Sequence, residues 1–240
     1  NPTVSALEEK LATLEGGRGG TATSSGHAAE ILAIFPLMAP GMEVIVADKL
    51  YGGTINLMAK SFQKFGWEAI FANTENPESF RRAVTEKTRA IFIENLANPG
   101  GIVADLEAIV KIANEAEVPL IVDNTLATPF LSQPLEWGAD LVIHSTTKYL
   151  SGQGNAIGGV VIDSGKFPWL GNPKYPSLSS PSAEYNGLIF AETFGDLAYT
   201  MYSHAISLRD LGCTQSPMNA WITLNGVETL PLRMERHCSN

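Results

Sequence analysis

The chain is poor in cysteine, in basic residues and in long apolar runs. Its 240 residues include two cysteines, Cys213 and Cys238. That is too few for a disulfide framework, and their spacing is not that of a zinc site; they read as free thiols of a reducing compartment. Lys plus Arg is 16 against 25 for Asp plus Glu, a formal net charge of −9. Without a basic excess or stripe, the electrostatic footprint of a nucleic-acid binder is missing. The most apolar stretch, Ala28 to Ala47, is broken by Glu30, Pro36, Pro40, Gly41 and Glu43. It falls short of the roughly 20 clean apolar residues of a membrane span. No basic segment followed by an apolar one opens the chain, so nothing points to secretion and the cytoplasm is the expected location. The four histidines have no metal-site spacing. G-x-G-x-x-G and the P-loop lysine are also missing, which weakens a nucleotide-binding reading. No internal repeat or low-complexity tract is found.

What is present is a globular balance, 45% hydrophobic and 17% charged, enough for one large or two small domains. Apolar runs alternate with helix-period segments. Val4, Leu7, Leu11 and Leu14 recur at helical spacing, and Gly16-Gly17 ends that helix. Strands are predicted at 20–24, 43–47, 67–72, 90–94, 120–123, 141–144 and 159–162. Helices are predicted from about Gly26, over 54–65, near 77–84 and over 105–115. A run such as Leu120-Ile121-Val122 is apolar on both faces, as in a parallel sheet covered by helices. Alternation of strand and helix then predicts a three-layer α/β domain. Residues 164–181, rich in Gly, Pro, Ser and aromatics, read as a long surface excursion. Helix returns near Gly187, and Ser216-Pro217 is a strong helix start.

In such sheets ligands bind outside the carboxyl ends of the strands, which directs attention to four segments. Lys148 follows a strand and the hydroxyl residues Ser145, Thr146 and Thr147. Alone it reads as a solvated lysine. In a partly desolvated pocket it would instead be a nucleophile toward a carbonyl. Asp123 closes an apolar strand, where a bare carboxylate is expensive. It is either a turn residue or the partner of a cation. Together the two fit the needs of pyridoxal 5'-phosphate (PLP): a Schiff-base lysine and an acid for the pyridinium nitrogen. Ser24-Ser25-Gly26-His27 joins strand to helix and offers N–H groups and hydroxyls for a phosphate. Tyr51-Gly52-Gly53-Thr54 offers a ring for packing or for stacking on a flat cofactor.

In combination these segments resemble the cystathionine γ-synthase-like PLP enzymes of cysteine and methionine metabolism. The resemblance runs from Asn1-Pro2-Thr3 and Leu14-Glu15-Gly16-Gly17 through Ser25-Gly26, Tyr51-Gly52-Gly53-Thr54, and Glu94 with Asn98-Pro99. It continues through Asp123-Asn124-Thr125 with Thr128-Pro129 and through His144-Ser145-Thr146-Thr147-Lys148-Tyr149-Leu150-Ser151-Gly152. Within the family, Gly152-Gln153-Gly154, Val161-Ile162-Asp163-Ser164-Gly165 and the ending Leu224 to His237 are most similar to O-acetylhomoserine sulfhydrylases. Methionine γ-lyases typically carry Cys where Gly53 stands.

The resemblance implies the aspartate aminotransferase-like fold type I, with a mostly parallel seven-stranded sheet. It implies a PLP-binding large domain over 1–215 (excursion 164–185) and the helical start of a C-terminal domain over 216–240. Lys148 would carry PLP covalently, Asp123 would pair with the ring nitrogen, Tyr51 would stack on the ring and Asn98 would bond its phenolic oxygen. Backbone N–H groups of Gly26 and His27 beside Ser25, with the hydroxyls of Ser145 and Thr147, would hold the phosphate. The implied reaction converts O-acetyl-L-homoserine and sulfide, or a thiol, to L-homocysteine and acetate. O-succinylhomoserine sulfhydrylase, cystathionine γ-synthase, a methionine γ-lyase-type enzyme and an inactive PLP-binding fragment remain as alternatives. A homotetramer of dimers sharing active sites is expected. The family's Tyr-x-Arg pair would precede Asn1 and its carboxylate-binding arginine would follow Asn240, so a parent chain nearer 400 residues is expected, at roughly 100–200 residues per domain.

Overall fold

The computed structural model describes residues 1–240. Seven strands form one sheet: β1 (Gly19–Thr23), β2 (Glu43–Ala47), β3 (Glu68–Ala72), β4 (Thr88–Glu94), β5 (Leu120–Asp123), β6 (Leu141–His144) and β7 (Gly159–Asp163), in the order β1-β7-β6-β5-β4-β2-β3. Strands β3, β2, β4, β5 and β6 are mutually parallel. Strand β7 runs antiparallel to both β6 and β1. Hence β1 points the same way as the parallel strands and delivers its carboxyl end to the same edge. Every residue of β2 and β6 is buried, as are the apolar residues of β4 and β5. Such strands need cover on both faces, which accounts for their unbroken Val/Ile/Leu runs.

Local chemistry fixes the helix ends. Helix α1 (Pro2–Glu15) starts where the Asn1 side chain accepts from the Thr3 N–H, and it stops at Gly16 in the left-handed region. Helix α2 (Gly26–Ile34) is capped by Ser25, whose Oγ accepts from the Ala28 N–H at 3.1 Å. Helix α3 (Gly52–Asn56) runs on as a π turn over Leu57–Ser61 and a 3-10 turn over Phe62–Phe65, where one continuous helix is predicted. Helix α4 (Pro77–Ala83) carries Pro at its first turn. Helix α5 (Leu106–Ala116) is capped by Asp105 and ends at Glu117 with φ 52°.

The stretch after Asp163 is not the surface excursion its composition predicts. Trp169, Tyr175 and Leu178 are buried in the main core. The Tyr175 hydroxyl donates to the Arg89 carbonyl at 3.0 Å, and the Trp169 ring stacks on Tyr199 with centroids 5.7 Å apart. The aromatic residues decide the packing, and the Gly, Pro and Ser between them shape the turns. The last two helices, Pro217–Glu228 and Leu230–Ser239, fold back on the domain. The first packs on α1 and is tied to it by the Lys10–Glu228 ion pair.

Candidate active site

The carboxyl ends of β1, β4, β5 and β6 and the loop after β2 surround one cavity of about 350 Å³. All nine residues singled out from the sequence line it: Ser25, Gly26, His27, Tyr51, Asn98, Asp123, Ser145, Thr147 and Lys148. Glu30, Thr54, Glu94, Leu96, Thr125 and Leu126 complete the wall.

Helix α2 points its N-terminus at the cleft. The first N–H groups of a helix have no intrahelical acceptor, and Ser25 Oγ takes only that of Ala28. The amides of Gly26 and His27 are thus suited to an anion. A Cβ on Gly26 would lie 2.7 Å from Ser145 Cβ, so glycine is what allows α2 to meet the loop after β6. That loop is fixed by the Ser145 N–H, which donates to Thr125 Oγ1 at 2.8 Å. The Thr147 hydroxyl is engaged with Gly158, accepting from its N–H at 3.1 Å and donating to its carbonyl at 3.2 Å. Lys148 is exposed. The burial expected of a nucleophilic lysine is not supplied by the residues of this chain, whose cleft is open above it.

The floor of the cleft is acidic. Asp123 ends β5 and accepts from the Thr125 N–H at 2.8 Å. Burial pushes its carboxyl up, opposed by the Thr125 hydrogen bonds and by His144 and His27. Glu94 ends β4 and accepts from the Tyr51 N–H at 2.6 Å and the Asn98 N–H at 2.9 Å. One carboxyl thereby sets the loops that carry both residues. Burial, reinforced by the charge of Asp123, pushes Glu94 up to about 7. Glu30 accepts from the Thr54 hydroxyl at 2.8 Å while its second oxygen has no partner. Burial and then the charge of Asp123 hold it well above the usual carboxylate range. None of the three acids has a salt-bridge partner. Behind Asp123, His144 Nε2 lies 2.6 Å from Glu15 Oε1, a buried hydrogen bond, and Asn124 Nδ2 donates to the same oxygen at 2.9 Å. This network anchors the end of β6 from below.

The Tyr51 ring is half-exposed and stands 5.8 Å from the His27 ring, tilted by 32°. It borders the cleft. A flat, cationic, phosphate-bearing group fits this set of donors. Unspent helix amides meet the anion, a half-exposed aromatic ring meets the flat group, and acids without a salt-bridge partner meet a cation. Glu30 escapes a sequence reading because it lies inside an apolar helical segment, where it registers only as an interruption. Its place at the cleft shows only in the fold, where it accepts from the Thr54 hydroxyl. Glu94 is visible at a strand end, yet its bonds to two separate loops are a property of the folded chain.

Comparison with known proteins bears on the same cleft. The profile of the family described as "Cys/Met metabolism PLP-dependent enzyme" matches residues 1–240. The chain is 46% identical over 248 residues to an O-acetyl-L-homoserine sulfhydrylase of Leptospira meyeri, covering 100% of this chain and 56% of that protein. It is 46% identical over 242 residues to a homocysteine/cysteine synthase of Saccharomyces cerevisiae, covering 100% and 54%. The chain thus spans about half the length of these curated relatives. A Campylobacter jejuni protein assigned as an O-acetylhomoserine (thiol)-lyase, whose crystal structure carries an N'-pyridoxyl-lysine-5'-monophosphate, superposes with a TM-score of 0.95. It shares 38% identity, over 99% of this chain and 59% of its own. The sheet order, the fold of these neighbours and the full-length profile match agree. The chain belongs to the PLP-dependent enzymes of cysteine and methionine metabolism.

Proposed function

We propose that the protein uses PLP to replace the acetoxy group of O-acetyl-L-homoserine: sulfide gives L-homocysteine and acetate, and a small thiol in its place gives the corresponding thioether and acetate. The observation that supports this most is the cleft itself, in which a strand-end lysine and a strand-end acid face one cavity beside a helix N-terminus. When bound, PLP supplies an electron sink for a carbanion next to the substrate amine. The amides of Gly26 and His27 and the hydroxyl of Ser145 bind the phosphate. Thr147 joins them only if its hydroxyl proton turns away from the Gly158 carbonyl. Asp123 holds the proton on the ring nitrogen; that cation offsets the burial that otherwise favours a neutral carboxyl. Tyr51 covers the ring, and Asn98 orients its phenolic oxygen. Lys148 carries the cofactor between turnovers, and its amine moves protons at the substrate's α- and β-carbons.

Gly53 favours replacement over a lyase reaction that relies on cysteine at this position. A Cβ there would lie 2.5 Å from Tyr51 Cε1 and 2.7 Å from His27 Cε1. Any side chain at 53 therefore requires both rings to move. The same reading places the boundary of the cofactor domain near residue 215 and has the protein act in the cytoplasm as a homotetramer of paired subunits. No helix is long and apolar enough to cross a membrane. The test is a product assay on the full-length holoenzyme. Homocysteine formed from O-acetylhomoserine and sulfide, in preference to O-succinylhomoserine, supports the reading. Preference for the succinyl ester, or for elimination to a keto acid, contradicts it.

A further inference from the structure

The loop that carries Lys148 is neither helix nor strand, and its internal bonds leave part of it unsupported. The Lys148 N–H donates to the Ser145 carbonyl at 3.2 Å, the Ser151 N–H to the Thr146 carbonyl at 3.0 Å and the Gly152 N–H to the Lys148 carbonyl at 2.8 Å. None of these bonds uses the carbonyls of Tyr149 and Leu150, the two residues after the lysine. Those two oxygens accept from Arg233, more than eighty residues further along the chain. Arg233 Nη1 donates to Tyr149 O at 2.7 Å, and Nη2 reaches Leu150 O at 3.5 Å. The same guanidinium is fastened to the turn between the last two helices. Nη2 donates to Gly226 O at 2.7 Å and Nε to Thr229 Oγ1 at 3.1 Å. Arg233 has no carboxylate partner, so its planar set of donors is spent on backbone and hydroxyl oxygens. Two further contacts press the same helices onto the loop. The Tyr149 and His237 rings lie 5.1 Å apart. Gly226 sits so close that an added Cβ would be 2.2 Å from the Ser151 carbonyl oxygen.

We propose that Arg233 is a positioning residue for Lys148: by clamping the two carbonyls that follow the lysine, it lets the docking of the last two helices set how the amine reaches into the cleft. The inference rests on Lys148 being the residue that carries PLP. It adds that the reach of Lys148 depends on a distant side chain that touches neither cofactor nor substrate. An ångström of misplacement of a reacting group costs up to about 10²-fold in rate, so a loosened clamp affects turnover before it affects cofactor binding, which the helix amides and the Asp123 carboxylate supply.

The test uses the full-length holoenzyme and the variants Arg233→Met, Arg233→Lys and Thr229→Val. For each, total PLP retained, the fraction fixed to Lys148 by borohydride reduction, kcat, KM and melting temperature are measured. Arg233→Met is expected to retain PLP while the Lys148-fixed fraction drops and kcat falls about 10–100-fold, with KM nearly unchanged. Arg233→Lys, which reaches one carbonyl, falls between it and the unaltered protein, and Thr229→Val moves the same way by less. Should Arg233→Met fail to fold, the two milder variants decide. A normal Lys148-fixed fraction and kcat in both, even with a lower melting temperature, overturns the clamp and leaves a purely structural arginine. Absence of a Lys148 adduct in the unaltered protein overturns the reading of the cleft itself, and the clamp with it.

Discussion

Two groups of buried acids occupy opposite edges of the same sheet, and they are not alike. At the carboxyl edge, Glu30, Glu94 and Asp123 line an open cleft. At the other edge, Asp140 stands just before β6 and Asp163 ends the antiparallel β7, so the reversal of one strand brings them to neighbouring positions. Burial pushes Asp140 up to about 6 and Asp163 up to about 7, as high as Glu94. A raised carboxyl therefore does not by itself mark the active site. The difference lies in what the oxygens touch. Asp163 accepts from the Gly165 N–H at 2.9 Å and the Thr200 hydroxyl at 3.3 Å, and Asp140 accepts from the Leu120 N–H at 2.9 Å. Those acids close turns and do not line the cleft. Glu30 keeps an oxygen without a partner, and Asp123 is bonded only to its near neighbour Thr125. Glu30 and Asp123 thus face the cleft with acceptor capacity to spare, whereas both oxygens of Glu94 are taken by backbone N–H groups.

Substitutions at the two edges should separate accordingly. The largest effect is expected for Asp123→Asn in the holoenzyme, which removes the charge facing the ring nitrogen while keeping the side-chain shape. Turnover should fall about 10²–10³-fold, the usual cost of losing one preorganised charge interaction, with PLP bound more weakly and the melting temperature of the PLP-free protein hardly altered. Near-normal turnover would remove the contrast between the edges.

Asp163→Asn is expected to do the reverse, leaving activity intact and changing stability with pH. The folded pKa of Asp163, about 7, lies above the 3.8 of an ordinary aspartate. The folded state thus holds the proton more tightly than the unfolded one. Stability from this group is complete below about pH 4 and is lost as pH rises toward about 7. The loss is about 1–4 kcal/mol, after allowing for relaxation around the buried group. Chemical denaturation at pH 5 and pH 8 should show a smaller difference in the variant than in the unaltered protein; equal slopes would refute the assignment.

Glu94 shares features with both groups, since it faces the cleft and also accepts two backbone N–H groups. Its carboxyl ionises as pH rises through about 7, against its burial and the like charge of Asp123. The bonds to the Tyr51 and Asn98 amides strengthen in the same interval, because hydrogen bonds to a charged acceptor are worth about 1.5–3 kcal/mol against about 1 for neutral ones. Hydrogen exchange at those two amides, corrected for its intrinsic pH dependence, should slow between pH 6 and pH 8. In Glu94→Gln the corrected rate should stay flat. A pH response surviving in that variant would assign it to another acid.

Much of this arrangement is legible in the sequence because chemistry gathers at strand ends and strands announce themselves as apolar runs. Leu120-Ile121-Val122 identifies both a buried strand and the acid that follows it. Ser25, with Gly26 after it, identifies a helix start. What is not legible has a physical reason in each case. The apolar pattern of β7 is the same whichever way it runs, so its reversal, and with it the meeting of Asp140 and Asp163, appears only in the folded sheet. Residues 164–181 read as surface because Gly, Pro and Ser outnumber the aromatics that bury the segment. Arg233 reads as one charge on an amphipathic helix, and its partners are carbonyls, which have no sequence signature.

The central claim is that the strand-end lysine, and no other, carries the cofactor. Its most direct test is borohydride reduction of the full-length holoenzyme followed by peptide mapping, with Lys148→Ala as control. The account requires the pyridoxyl group on the peptide containing Lys148 and no fixed cofactor in the control, which should still fold because the lysine is exposed. A pyridoxyl group on another lysine, or an unchanged yield in Lys148→Ala, would contradict it.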